Sequence, residues 1–125
     1  MFENLDVMRM AQAMAVHAGK RQTIVAQNIA NSDTPGFRAR DLPSFASVYE
    51  TNSGELRTTR PGHVQSTRAE FLPMEDSAGR EDPNGNTVSL EHQILKAGEV
   101  RHQHDLSLAI FKSSLDILRL SIGRR

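Results

Sequence analysis

The feature that most constrains this chain is a seven-residue apolar repeat that occurs near both ends and is missing from the middle. In the first repeat, the spacing alternates between three and four residues over Met8, Ala11, Ala15, Ala18, Gln22, Val25 and Ile29. Such spacing is typical of a long α-helix with a narrow packing face. The segment from Phe2 to Asn31 contains no proline and one glycine, Gly19, so a single helix is predicted there.

The same repeat returns near the end of the chain in two parallel sets. One set is Leu90, Ala97, His104, Phe111 and Leu118, and the other is Ile94, Arg101, Leu108, Leu115 and Ile122. They predict a second long helix, with Ser89 as a suitable N-cap and Gly123 just beyond its end. Helices of about 30 residues are about 45 Å long, so the two are expected to pair as an antiparallel coiled coil.

The middle of the chain is different, because residues 38–88 contain four of the five prolines and four of the eight glycines. Scattered apolar residues there are compatible with short strands or a small hairpin: Val48, Tyr49, Leu56, Val64, Phe71 and Leu72. The polar, turn-forming segment 77–86 predicts a mobile loop. The expected fold is therefore mainly α, with residues 1–34 and 89–125 in one core domain. Residues 35–88 are expected to form an irregular insert, partly β or disordered.

The charge balance argues against a nucleic-acid partner. Lys and Arg together number 15, as do Asp and Glu, so the net charge is zero and gives no general attraction to phosphate. Five arginines lie in the middle of the chain, without the interleaved aromatic residues typical of single-strand binding: Arg38, Arg40, Arg57, Arg60 and Arg68. A solvated surface or a network of ion pairs between subunits is the preferred interpretation of these arginines.

No recognisable catalytic or ligand-binding pattern occurs. The chain has no cysteine, and neither a nucleophile elbow nor a phosphate-binding loop is present. Glu99 and His102 have a spacing that places two metal ligands on one helix face, but a second such pair is missing. We therefore predict no catalytic residues, no metal, no cofactor and no small-molecule ligand.

A pair of helices buries only part of its surface, so the remaining apolar surface is expected to face other chains. The sequence thus predicts an assembly subunit. Its assembly seam is placed on the second helix, at Leu108, Phe111, Leu115, Leu118 and Ile122.

The end of the first helix carries the most specific pattern. Pro35-Gly36 has the residue order of a type II turn, with Gly36 expected at positive φ. The pattern consists of Asn28, Ile29, Ala30, Asn31, Thr34, Pro35, Gly36 and Phe37. It resembles the NIAN-x-x-TPGF signature of the flagellar rod, hook and hook-filament junction protein family. Residues 38–41, 59–64 and 85–91 also look like segments of the proximal-rod members of that family.

The resemblance implies a structural subunit of the proximal rod in the flagellar basal body, which supports motility. Such proteins are exported unfolded by the flagellar type III system, without a cleaved signal peptide, and polymerise in the periplasm through their terminal helices. The implied partners are further copies of the chain, rod proteins of the FlgC, FlgF and FlgG type, the adaptor FliE, and the export gate with the MS ring. In the motif, the turn would direct the insert, and Phe37 would pack against a neighbouring subunit.

Two other classes of protein are also built around two long helices. One is a needle or inner-rod subunit of a secretion system, and the other is a helical export chaperone. A chaperone is expected to fold stably alone, so strong, cooperatively melting helix in the dilute protein would favour it.

Overall fold

The computed structural model of the protein describes residues 2–52, 72–76 and 79–123. In chain order, its elements are α1 (Phe2–Ala30), β1 (Arg40–Asp41), α2 (Phe45–Asn52), β2 (Met74–Glu75) and α3 (Leu90–Ser121). The two strands pair antiparallel, with Arg40 opposite Glu75 and Asp41 opposite Met74. The predicted mainly helical fold, with two long helices and a partly β segment between them, is confirmed. None of the described helices has an apolar stretch long enough to span a bilayer.

The two long helices pack against each other in antiparallel directions. Near the end of α1, Asn28 hydrogen-bonds to Gln93 near the start of α3, while Ala11 and Ser107 line one groove farther along the pair. The side chains buried along the pair, with seven-residue spacing, are Ala11, Ala18 and Val25 on α1, and Gln93, Val100, Ser107 and Ser114 on α3. Most of them are small, so the two backbones can approach closely.

The buried line of α3 lies one residue before the predicted line of Ile94, Arg101, Leu108 and Leu115. On α1, the line from Ala11 to Val25 is buried as expected, whereas Gln22 of the second predicted line is exposed. The packing face of each helix is therefore rotated from the centre of its apolar pattern. The larger apolar residues of α3 are left beside the contact instead of inside it.

The helix ends follow the sequence closely. Ser89 occupies the N-cap of α3 with extended backbone, although its side chain makes no capping hydrogen bond. Gly123 has φ +83° directly after the end of α3, as expected of a terminal glycine. Gly36 has φ +73°, and Phe37 N donates to Thr34 O at 3.2 Å, so the predicted turn after α1 is confirmed.

The segment after this turn packs against one side of the helix pair. Ala39 and Leu42 are buried there, and α2 follows at once. We considered Val48 and Tyr49 as strand residues, but they lie in α2, where Val48 is buried. Ser44 begins this helix, because its Oγ accepts from Ser47 N at 3.4 Å.

The predicted mobile loop is wrong in its last residue, because Asn86 is fully buried. Several sequence-based expectations fall outside the described residues: the apolar residues Leu56, Val64 and Phe71, the arginines Arg57, Arg60 and Arg68, and the segment 59–64.

Candidate functional site

The end of α1 and the start of α3 meet in a polar junction centred on Asn28. This motif residue is 1% exposed. Its Nδ2 donates to the carbonyl oxygen of Arg40 at 2.7 Å and to Gln93 Oε1 at 3.1 Å, and its Oδ1 accepts from Arg40 N at 3.1 Å. A side-chain amide both donates and accepts, so Asn28 can bind both backbone groups of Arg40 and also donate to Gln93. Asn28 therefore holds the start of β1 and the first turn of α3 against α1.

A second buried asparagine, Asn86, closes the end of α1 from a distant part of the chain. Its Nδ2 lies 3.0 Å from Asn31 O, 2.8 Å from Ser32 O and 2.9 Å from Thr34 O. Its Oδ1 accepts from Val88 N at 2.7 Å. These carbonyl groups belong to the turn that follows α1, so a single side chain holds the residues of that turn together. Asn86 thereby couples the motif turn to the residues that lead into α3.

The segments on either side of this asparagine run alongside the motif turn. Thr87 N donates to Phe37 O at 3.1 Å, and Ala39 N donates to Thr87 Oγ1 at 2.9 Å. Gly36 N donates to Asn84 O at 3.0 Å. The backbone after α1 and the backbone before α3 are thus tied together for several residues.

Gly85 allows a close approach to the motif turn. It has φ +81°, and a β-carbon added there would lie 3.4 Å from Gly36 Cα. A larger residue at this position would be strained by its backbone conformation and crowded against the turn.

A cluster of four charged side chains lies beside the polar junction. Arg21 Nε and Nη2 donate to the two carboxylate oxygens of Asp41 at 2.9 and 3.1 Å. Lys96 Nζ lies 2.8 Å from Asp41 Oδ2 and also donates to Asp76 Oδ2. The side chains of Lys96, Asp41 and Asp76 are 10%, 17% and 12% exposed. The cluster therefore joins α1, β1, α3 and the residue after β2 through ion pairs that are largely shielded from water.

Each charge in this cluster is stabilised by its partners. Burial alone would raise the pKa of Asp41, but hydrogen bonds from Arg21, Lys96 and the Leu42 backbone lower it from 3.8 to about 2. Burial also acts to lower the pKa of Lys96, and its bonds to Asp41 and Asp76 outweigh that effect and raise it. Arg21, Asp41 and Lys96 are thus ionised near neutral pH, and their ion pairs hold the surrounding elements together.

His17 anchors α2 to the helix pair. Its Nε2 lies 2.8 Å from the carbonyl oxygen of Pro43, and its ring meets that of Phe45 edge-on at 5.8 Å. Burial lowers the pKa of His17, so the imidazole is neutral at physiological pH. No group of three His, Asp or Glu side chains suited to a metal ion occurs within the described ranges.

The motif residues divide into a buried part and an exposed part. Asn28 is buried, Ile29, Asn31 and Phe37 are half-buried, and Ala30, Thr34, Pro35 and Gly36 are exposed. The buried part belongs to the junction described above. The exposed part forms a turn on the surface, where Thr34 Oγ1 donates to Asn31 Oδ1 at 3.2 Å.

The predicted assembly seam lies along one flank of α3, and we call it the seam face: Leu108, Phe111, Leu115, Leu118 and Ile122. Leu108 and Ile122 are 50% and 78% exposed, and the other three are half-buried. Ile94 and Leu90 continue the same flank toward the junction and are also exposed. Helix α2 packs on the opposite flank, where Phe45 and Tyr49 line a groove together with Ile110.

An apolar groove of about 250 Å³ opens beside the seam face, and we call it the seam groove. Ala11 and Ala15 of α1 form one wall, and Ser107, Leu108 and Phe111 of α3 form the other. The small residues on α1 leave space that the larger ones on α3 do not fill. A side chain from another molecule would fit between them.

Sequence reasoning missed Asn86, the charged cluster and the buried role of Gln93. Asn86 ends a run of turn-forming residues, so local chemistry favoured a loop, and its partners are more than 50 residues away along the chain. One side of α3 carries Gln93, Lys96 and Val100, at spacings of three and four residues. The two polar residues on this side were the signal in the sequence that pointed to the buried contacts. It was hidden by the stronger leucine pattern on the adjacent face.

The fold and the site define a class of protein, a helical hairpin that is held together at one end and, within the described residues, exposes an apolar flank. A sequence model of the family described as flagella basal body rod protein matches residues 10–38, which contain most of α1 and the motif turn. The chain is 30% identical over 128 residues to flagellar basal body rod protein FlgB of Agrobacterium fabrum, covering 96% of this chain and 95% of that protein.

Two further relatives agree. FlgB of Salmonella typhimurium is 30% identical over 128 residues, and FlgB of Escherichia coli is 29% identical over 129 residues. In both cases 92% of this chain and 92% of the relative are covered. The chain belongs to the family of flagellar basal-body rod proteins.

Proposed function

We propose that this chain is a structural subunit of the proximal rod that polymerises through the exposed flank of its helix pair. Its family is one of structural proteins of the flagellar basal body. The observation that carries the proposal is the seam face, where five apolar side chains follow one flank of α3 beside an open groove. Exposed apolar surface of this kind is costly in water and is typical of a surface that binds other chains.

The remaining parts of the proposal follow from family membership. The subunit would reach the periplasm through the flagellar type III system, unfolded, and would support motility from its position in the rod. Its neighbours would be further copies of itself, other rod proteins of the FlgC, FlgF and FlgG type, the adaptor FliE, and the export gate with the MS ring. The motif turn would present its exposed residues, Thr34 to Gly36, to one of these neighbours.

The polar junction supports this function by giving the subunit a defined shape. A hairpin that joins the assembly through one flank must hold its two helices in register before neighbours add their contacts. Asn28 and Asn86 hold that register at one end. A monomeric export chaperone is a less suitable interpretation. Such a protein would have to cover the seam face with its own chain.

The test of the proposed function is a charge placed in the seam face. Leu108→Asp and Leu115→Asp would each desolvate an unpaired carboxylate on assembly, at a cost of several kcal/mol per subunit. We expect both variants to be secreted at normal levels, because an unfolded chain does not need this packing, and we expect both strains to be non-motile. The measurement is complementation of a rod-deficient strain, with swimming and secreted subunit quantified together.

Ala109→Asp is the matched control. Ala109 is the residue after Leu108 and is exposed on the outward side of α3, so a charge there remains in water. We expect this strain to swim. Normal swimming by both leucine variants would refute the proposed assembly surface.

A further inference from the structure

A second apolar groove opens on the flank of the helix pair opposite the seam groove. It has a volume of about 310 Å³, and we call it the methionine groove. Its apolar walls are formed chiefly by Met10, Met14, Phe45, Tyr49 and Ile110. The rings of Phe45 and Tyr49 lie 5.4 Å apart and form one side of it. The end of the helix pair away from the junction thus has an apolar recess on each flank.

The two grooves lie at the same height and face in different directions. Ala11 lines both of them, which sets the common height. Ile110 lines the methionine groove and Phe111 lines the seam groove, and consecutive helix residues point about 100° apart. On α1, Met14 lines the methionine groove and the next residue, Ala15, lines the seam groove.

The apolar surface of the methionine flank extends along α3. Leu106 and Ile117 lie four residues before and seven residues after Ile110, so they share its side of the helix. They are 47% and 49% exposed. This flank therefore offers a recess with an apolar border, whereas the seam face offers a row of protruding side chains.

We propose that the seam face of one copy of this chain docks into the methionine groove of the next copy. The proposal rests on the proposed function, because it names the partner of the seam face. Leu108 is the side chain that would enter the groove, since it is half exposed and lies at the level of Ala11. Methionine side chains are flexible and polarisable, so Met10 and Met14 can adjust around an inserted leucine.

The charges around the two surfaces favour a second copy as the occupant. Lys112 follows Leu108 by one helical turn and is exposed on the same flank. Glu50 lines the methionine groove beside Tyr49. When Leu108 of one copy enters the groove of another, Lys112 is brought toward Glu50. Opposite charges at the rim of an apolar contact select the partner and its register.

The placement of the two surfaces also fits a growing assembly. A contact between two different surfaces on one chain is heterologous, so each added copy leaves a free surface for the next one. A two-fold pair, in contrast, joins the same surface of both copies and stops. Because the seam face and the methionine groove are on opposite flanks, docking of one does not occupy the other.

Disulfide trapping tests this pairing, and the absence of cysteine from the chain makes every introduced thiol diagnostic. The variant Leu108→Cys/Tyr49→Cys is expressed as the only copy of the gene product, and isolated basal bodies are oxidised. Within one chain the two positions lie on opposite flanks, so a bond between them has to join two copies. We expect a ladder of reducible oligomers from the double variant and monomer from each single variant. A second pair, Gln12→Cys/Ala46→Cys, joins the same grooves without removing a large apolar side chain.

Three results would overturn the pairing. One is the absence of oligomers from both cysteine pairs in basal bodies that contain the subunit. Another is dimer formation by Leu108→Cys alone, which would mean that two seam faces meet. The third is dimer formation by Tyr49→Cys alone, which would mean that two methionine grooves meet.

A charge exchange gives the independent measurement. Lys112→Glu and Glu50→Lys should each lower the amount of subunit in basal bodies by roughly 2- to 5-fold, and the two together should restore it. No restoration would count against the pairing. If Leu108→Asp abolishes motility but neither trapping nor restoration occurs, the seam face still works in assembly with another partner. If Leu108→Asp swims, the proposed function itself fails.

Discussion

The two ends of the helix pair are built in different ways. At the junction end, Asn28, Asn86 and the charged cluster make hydrogen bonds and ion pairs between distant parts of the chain. At the opposite end of the helix pair, which we call the free end, the described polar contacts join residues that are close in sequence. Ser114 Oγ donates to Ile110 O four residues earlier, and Arg119 pairs with Asp116 three residues earlier.

Exposed apolar residues, in contrast, occur at both ends, and Leu90, Ile94 and Leu95 at the junction end are 48%, 59% and 71% exposed. The free end exposes Leu108, Leu120 and Ile122 at 50%, 72% and 78%. The junction end therefore carries the specific contacts that one chain needs to adopt its shape. The free end carries surface that becomes useful when other chains cover it. The specific contacts that stabilise the isolated subunit are thus concentrated at one end of the hairpin, whereas exposed apolar surface extends along its whole length.

The largest effect on the isolated subunit is expected from Asn86→Ala. The change removes the amide that binds three carbonyl groups of the turn after α1 and leaves Val88 N without its acceptor. Buried groups that lose their partners cost about 1–3 kcal/mol each, so we expect a loss of about 3 kcal/mol in the free energy of unfolding. Urea denaturation followed by circular dichroism measures it.

The control for this variant is Asn31→Ala. Asn31 Nδ2 donates to Gln27 O in an exposed position, so its loss should cost less than about 1 kcal/mol. Equal destabilisation by the two variants would show that Asn86 does not hold the junction together.

A smaller effect, and one that depends on pH, is expected from Asp41→Asn. The variant leaves Arg21 and Lys96 with less compensation in a largely buried cluster, and we expect a loss of about 2 kcal/mol at pH 7. Because the pKa of Asp41 is lowered from 3.8 to about 2 by folding, the unfolded chain takes up the proton first on acidification. The stabilisation is complete above pH 3.8 and is lost as the pH falls through about 2. The difference between wild type and variant should therefore shrink over that window.

The comparison for this variant is Glu75→Gln. Glu75 pairs with Arg38 at 3.1 Å, but both side chains are more than half exposed, so the expected cost is below about 0.5 kcal/mol at any pH. A constant difference between wild type and Asp41→Asn from pH 7 to pH 2 would contradict the assigned ion pairs.

The difference between local contacts and contacts of distant segments also explains which features the sequence predicts well. The two helices, the turn at Gly36 and the end at Gly123 depend on residues within a few positions of each other, and all were predicted correctly. The contacts of Asn86 and Lys96 depend on which segments meet after folding, and no local pattern contains that information. The rotation of the α3 packing face has the same origin, since Ser107 and Ser114 are buried because the helices approach closely there. Helix α2 was missed because eight residues rich in β-formers such as Val48 and Tyr49 give a weak local signal.

The smallest effect is expected at the free end, from Ser114→Ala. Ser114 is 5% exposed and its hydroxyl donates to Ile110 O at 3.0 Å, so the residue already satisfies its polar group within its own helix. Alanine keeps nearly the same volume, has a higher helix propensity and leaves no buried donor. The free energy of unfolding should change by less than about 0.5 kcal/mol, and motility should remain normal. Ser114→Leu keeps the site apolar but adds volume where the two backbones are close, so it should separate the helices and reduce motility. If Ser114→Ala were as damaging as Asn86→Ala, the free end would hold specific contacts of its own, and the contrast between the two ends would be lost.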